Sequence, residues 1–216
     1  MNKRTEGLKR LRHSAGLDGY PLPPIHDEQR PARALIVTCA ESPVLSAFVA
    51  SLDPLCVLQN LGGALPGAIS GAGKAGDEMT CGTIEYALNE LGLRHIVLLG
   101  HSSCRVPSMR RRRERSLAPA QRVDEPGPSR LRAARGSSSC DNLSQAWLLE
   151  QMARLRDRLT AGRLATGTEV ATHALWFAED QGDLFAYSGN EKRFVLASDL
   201  EMERLFSLLE AGADAA

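Results

Sequence analysis

The sequence predicts an α/β fold, with a mostly parallel central sheet flanked by helices. Three observations carry that expectation. ALIVT (34–38) and RHIVLLG (94–100) are apolar runs without alternation, as in parallel strands covered on both faces. A segment with apolar residues at helical spacing separates them. The full order of elements, strand–strand–helix–strand–helix–hairpin–helix, is that of a sheet wrapped by helices.

In chain order, ALIVT is the first strand and PLCVLQ (54–59) the second. TCGTIEYALNELG (80–92) places Ile84, Leu88 and Leu91 on one helical face, and Gly92 closes the helix. RHIVLLG is the third strand. NLSQAWLLEQMARLRDRL (142–159) is a helix with Asn142 or Ser144 as its cap. THALWFAE (172–179) and LFAYS (184–188) flank the turn DQGD, a hairpin signal. DLEMERLFSLLEAG (199–212) is a final helix. The expected organisation is an N-terminal arm at 1–30 and a single domain at 31–216, which carries a basic, flexible insertion at 105–140.

The chain has 216 residues, enough to bury a proper core, and a formal net charge of zero. It therefore has no overall bias towards nucleic acid or an anionic membrane. No apolar run approaches the roughly 20 residues of a membrane span, and MNKRTEGLKRLRHSAGL is too polar for a signal peptide. The five cysteines, at 39, 56, 81, 104 and 140, are odd in number. A cytoplasmic protein with reduced thiols is expected, in which some cysteines act as ligands. Charge is concentrated locally: ten arginines between Arg105 and Arg135 face Glu114, Asp124 and Glu125, a surplus of seven. No aromatic residue lies among them to stack on bases, so nucleic acid is not an expected partner.

Two strands end alike. ALIVT is followed by Cys39, and HIVLLG by His101 and, three residues on, Cys104. In an open α/β sheet the functional crevice lies beyond the carboxyl ends of the strands. If the two strands are neighbours, two thiolates and an imidazole meet at one point. That set suits zinc, with three protein ligands and one open position for water. The G-x-G-x-x-G match at 71–76 lacks both the preceding strand and the later acid of a dinucleotide site.

These segments resemble the β-class carbonic anhydrase family. QRPARALIVTCAESPV is similar to its first motif, a strand entering Cys-x-Asp-x-Arg, and LRHIVLLGHSSC to its second, His-x-x-Cys. VLQNLGG resembles the family's Asn-Ala-Gly segment and GTIEYALNELG its Ser-x-Glu-Tyr-Ala helix, so the likeness runs from about Gln29 to Ser188. The resemblance implies a zinc lyase that interconverts carbon dioxide and bicarbonate. It implies Cys39, His101 and Cys104 as metal ligands, and a homodimer or higher homo-oligomer joined by its N-terminal arm.

The chain departs from the family pattern at the catalytic pair. In the family, the Asp accepts a hydrogen bond from the metal's solvent ligand and the Arg two residues on holds that Asp. Here Glu41 and Pro43 stand in those places, and Gln59 replaces a frequent Arg. Glu41 is the candidate catalytic residue. Its extra methylene lets it either ligate the metal, which closes the site, or accept from the solvent ligand without the usual partner. Arg105, after Cys104 where the family has Gly, either restores the positive charge or belongs to the basic surface. Two alternatives to carbon dioxide hydration follow. One is hydrolysis of carbonyl sulfide or carbon disulfide. The other is a zinc-holding homologue that binds partners through its Arg-rich insertion. Cys56, Cys81 and Cys140 are read as ordinary thiols, and His13, His26, His95 and His173 as surface residues without partners.

Overall fold

The computed structural model describes residues 34–50, 55–68, 73–116, 139–162, 164 and 169–197. Its six strands are β1 (Ala34–Cys39), β2 (Leu55–Asn60), β3 (His95–His101), β4 (Ala171–Ala178), β5 (Asp183–Ser188) and β6 (Arg193–Leu196). They form one sheet in the order β2-β1-β3-β4-β5-β6. The β2, β1, β3 and β4 strands run parallel, and β5 and β6 add antiparallel partners at one edge. Four α-helices, α1 (Pro43–Ala50), α2 (Gly73–Asn89), α3 (Val106–Ser116) and α4 (Ser139–Thr160), and a short 3-10 turn at Leu61–Gly63 complete the described fold.

The unalternating strands are covered on both faces, and successive residues serve two separate cores. Leu35 and Val37 of β1, Ile96 and Leu98 of β3, and Ala174 and Trp176 of β4 meet Ile84 and Leu88 of α2 and Leu148, Met152 and Leu155 of α4. Ala34, Ile36, Val97, Leu99, Leu175 and Phe177 point the other way, where Leu45 and Val49 of α1 cover them. The middle residues of β1 and β3 are thus apolar whichever way they point, as a parallel sheet between helices requires.

The elements α1, α3 and β6 went unassigned in the sequence, and the structure corrects a helix start and a helix cap. The start of α1 has a clear local cause. Ser42 Oγ accepts the Leu45 N–H at 2.9 Å, the geometry of an N-cap, and Pro43 occupies the first helical position. The α3 helix occupies the first part of the predicted flexible insertion and buries Val106 and Pro107. The second helix begins at Gly73, seven residues before the predicted start, while Gly92 does end it in the left-handed region at φ 67°. Asn142 and Ser144 lie inside α4 and do not cap it. Ser144 Oγ instead accepts the buried indole N–H of Trp176 at 2.9 Å and donates to the Asp141 carbonyl. The predicted arm at 1–30, His13, His26 and the helix at 199–212 fall outside the described residues.

His95 and His173 are not partnerless surface residues. They face each other across the paired β3 and β4 strands, stacked with centroids 5.5 Å apart, and His95 Nδ1 lies 3.3 Å from His173 Nε2. Burial holds both rings below the usual histidine range, and for His173 the neighbouring His95 and Arg156 add to the effect. Folding therefore favours the neutral rings. As pH falls below about 6.5 the unfolded chain takes up protons first, so stability should be full above that pH and decline below it. The melting temperature of a His173→Gln variant should fall less than that of the wild type between about pH 7.5 and 5.5. Parallel declines would show that the pair has no part in the pH dependence.

Candidate metal centre

The site is assembled where β1 and β3 end side by side. The two strands are parallel neighbours, with Thr38 opposite Leu99. Cys39 closes β1 and His101 closes β3 at the same edge of the sheet. Two residues past His101 the chain turns back through Ser103, a non-glycine residue at φ 57°, whose N–H donates to Asp141 Oδ1 at 3.2 Å. The turn brings Cys104 over the strand ends. Cys39, His101 and Cys104 are all buried, and their sulfur and ring nitrogen atoms lie with a Glu41 carboxylate oxygen within 4.8 Å of one another. The two sulfurs are 4.0 Å apart. These four side chains could hold a metal ion: the structure brings Cys39, His101 and Cys104 to one point and sets the Glu41 carboxylate beside them.

Two backbone N–H groups aim at the Cys39 sulfur, those of Glu41 at 3.3 Å and Gly62 at 3.2 Å. Gly62 reaches it because the loop after β2 is tightly tied. Asn60 bridges to Ala64 through both ends of its amide, at 2.9 and 2.7 Å, and the Gly62 carbonyl accepts the Trp147 indole N–H at 2.7 Å. Gln59 donates to the Cys39 carbonyl and to Ser46 Oγ. The Cys39 thiol is drawn down to about 4. Its contact with Cys104 is the main cause, and His101 and the two N–H groups add to it against the cost of burial. The Cys104 thiol moves up, first because it donates to the Cys39 sulfur and then because it is buried. One proton thus serves two sulfurs, and a cation between them would displace it.

His101 is set up as a nitrogen ligand. Its Nδ1–H donates to the Ser102 carbonyl at 2.8 Å, and Glu179 Oε1 stands 3.6 Å from the same nitrogen. This leaves Nε2 buried and without a hydrogen-bond partner. An orphaned ring nitrogen among two sulfurs and a carboxylate is the arrangement a metal completes, with a carbonyl and a carboxylate orienting the imidazole from behind. Burial lowers the His101 pKa, but the Cys39 sulfur, Glu179 and the Ser102 carbonyl reverse that and raise it overall.

Glu41 is held chiefly by Arg105. Its Oε2 accepts the backbone N–H of Arg105 at 3.0 Å and lies 3.7 Å from Cys104 Sγ, and its Oε1 accepts from Arg105 Nε. Burial works against the charge on Glu41, but the Arg105 contacts outweigh it and hold the carboxyl below its usual range. Of the two readings of Arg105, the structure shows the pairing with Glu41.

Sequence reasoning missed Glu179, Ser42 and Ser102, which form a network behind His101. Glu179 Oε1 accepts from Ser42 Oγ, and the Glu179 N–H donates to Ser102 Oγ at 3.0 Å. A signal was available: Glu179 directly follows β4, at the same strand-end edge as Cys39 and His101.

A model of the family described as carbonic anhydrase matches residues 34–184. Beta carbonic anhydrase 1 of Caenorhabditis elegans is 26% identical, over 98% of this chain and 93% of its own. A carbonic anhydrase of Synechococcus elongatus is 31% identical over 48% of this chain and 37% of its own. Among solved structures, the β-carbonic anhydrase CcaA superposes with a TM-score of 0.50 at 20% identity, covering 90% of this chain and 98% of that one, a likeness of fold.

Proposed function

Because the chain belongs to the carbonic anhydrase family, we propose that it catalyses the reversible hydration of carbon dioxide to bicarbonate, with zinc held by Cys39, His101 and Cys104. The observation that carries this reading is the convergence of two sulfurs, an orphaned imidazole nitrogen and a carboxylate at the ends of neighbouring parallel strands. Zinc in such a site supplies an acidified water, the nucleophile that carbon dioxide requires.

The chain's own residues do the rest. His101 presents Nε2 because Ser102 occupies Nδ1. The N–H groups of Glu41 and Gly62 stabilise negative charge on Cys39. Glu41, kept ionised by Arg105, is the acceptor that orients the water's proton. Two thiolates neutralise a divalent ion more fully than neutral ligands would, so the water is harder to ionise and this acceptor matters more.

Stopped-flow carbon dioxide hydration on zinc-replete full-length protein tests the proposal. Turnover should disappear with a chelator and return with zinc. A preparation holding one zinc per chain with no rate above buffer would reject carbon dioxide as substrate, and carbonyl sulfide would be the next substrate to assay.

We also read the protein as a homodimer. The support is β2, an edge strand among the described residues, which exposes Val57 and is followed by exposed Leu61. Light scattering on the same preparation should give twice the 23.4 kDa chain mass, and the single-chain mass would reject the dimer. A cytoplasmic location is supported by the free state of all five cysteines. Recovery of the chain only in secreted or membrane fractions would overturn it. Among the described residues no helix is long and apolar enough to cross a membrane.

A further inference from the structure

We propose that Arg105 is the positioning residue for Glu41: it holds both carboxylate oxygens from the opposite loop and so keeps them from closing the metal's fourth position. The inference rests on the reading of the cluster as a metal centre and deepens it.

The argument begins with charge. Cys39, Cys104 and Glu41 put two sulfurs and a carboxylate within 4.8 Å of one another. A carboxylate on a flexible stem beside a cation-binding cluster has two places to go, onto the cation or onto another donor. Its chain neighbours do not hold it: the Ser42 hydroxyl donates to Glu179, and Pro43, two residues on, lacks any donor and is committed to starting α1. Arg105 supplies what the local chain cannot. It directly follows Cys104, so the loop that delivers the second sulfur also delivers the guanidinium.

The two contacts differ in kind, and that difference defines the role. Glu41 Oε2 accepts a backbone N–H, a bond that any residue at 105 would make. Glu41 Oε1 accepts from Nε, a bond specific to the arginine side chain. Without the side chain, Oε1 is released while Oε2 stays tethered 3.7 Å from Cys104 Sγ. The freed oxygen then has the reach to become a fourth ligand. The Arg105 side chain is 79% exposed against 15% for Glu41, so the pair contributes little to stability and its consequence is positional.

The test uses full-length protein carrying Arg105→Gln, Arg105→Lys or, as a charge control, Arg111→Gln on the exposed part of α3. Arg105→Gln should retain one zinc per chain and an unchanged melting temperature, while kcat falls about 10–100-fold at near-constant KM. Arg105→Lys should recover part of the loss, and Arg111→Gln should match the wild type. A readout independent of turnover comes from cobalt(II)-loaded protein titrated with azide. The wild-type visible spectrum should respond, as an open position requires, and the Arg105→Gln spectrum should respond weakly or not at all. An unchanged azide response in Arg105→Gln would overturn the proposal, as would an equal loss of kcat in Arg111→Gln. A wild type that is inactive towards carbon dioxide but responsive to azide would sink only the assigned reaction, and the cobalt comparison would still decide the role of Arg105.

Discussion

Alanine in place of His101 should give a chain that retains no stoichiometric zinc and hydrates carbon dioxide no faster than buffer. His101 is 3% exposed and ends β3, so its side chain cannot be replaced by a neighbour swinging in from solvent. Its loss leaves two sulfurs 4.0 Å apart and the Glu41 carboxylate, an incomplete set that also lacks the group aligned by Ser102. Metal analysis after gel filtration reads the first effect and stopped-flow hydration the second. A His101→Gln variant, which fills more of the space, guards against a trivial packing failure and should lose zinc as well. Zinc retained at one per chain in both variants would remove His101 from the ligand set.

Gly62→Ala should be the most damaging single-methyl change near the site. Gly62 sits at φ 75°, where a Cβ costs roughly 1–2 kcal/mol. The added carbon would lie 2.8 Å from Val106 Cγ1 and 3.2 Å from Trp147 Nε1, an overpacking that costs about 1–3 kcal/mol more. Relieving the clash must move Val106, next to Arg105, or pull the Gly62 N–H off the Cys39 sulfur. Denaturant unfolding should therefore show a loss of about 2–5 kcal/mol, with weaker zinc retention. Gly92→Ala is the matched control. It shares the left-handed conformation at φ 67°, but nothing stands within 4 Å of the new carbon, so only the conformational cost of about 1–2 kcal/mol remains. Equal losses at the two positions would mean that the clash at Gly62 relaxes freely and that the loop is not tightly tied.

The sequence alone determined five of the six described strands and three members of the cluster. The strands could be read because a parallel strand between two helical layers is apolar on both faces along its middle, a pattern that one short window displays. Cys39, His101 and Cys104 could be read because each stands just past such a run, where the architecture places chemistry. α1 was legible in principle from Ser42 and Pro43. α3 was obscured by its arginines, which look like a solvated insertion until Val106 and Pro107 are seen to be buried.

Only the tertiary structure decided how the acid is held. Glu41 and Arg105 are 64 residues apart, Ser42 and Glu179 are 137 apart, and His95 and His173 are 78 apart. Each pair meets because of the strand order β2-β1-β3-β4, which no local spacing encodes. Local pattern reports what a residue's own backbone needs. Which distant charge comes to rest beside it depends on how the sheet brings the strand ends together.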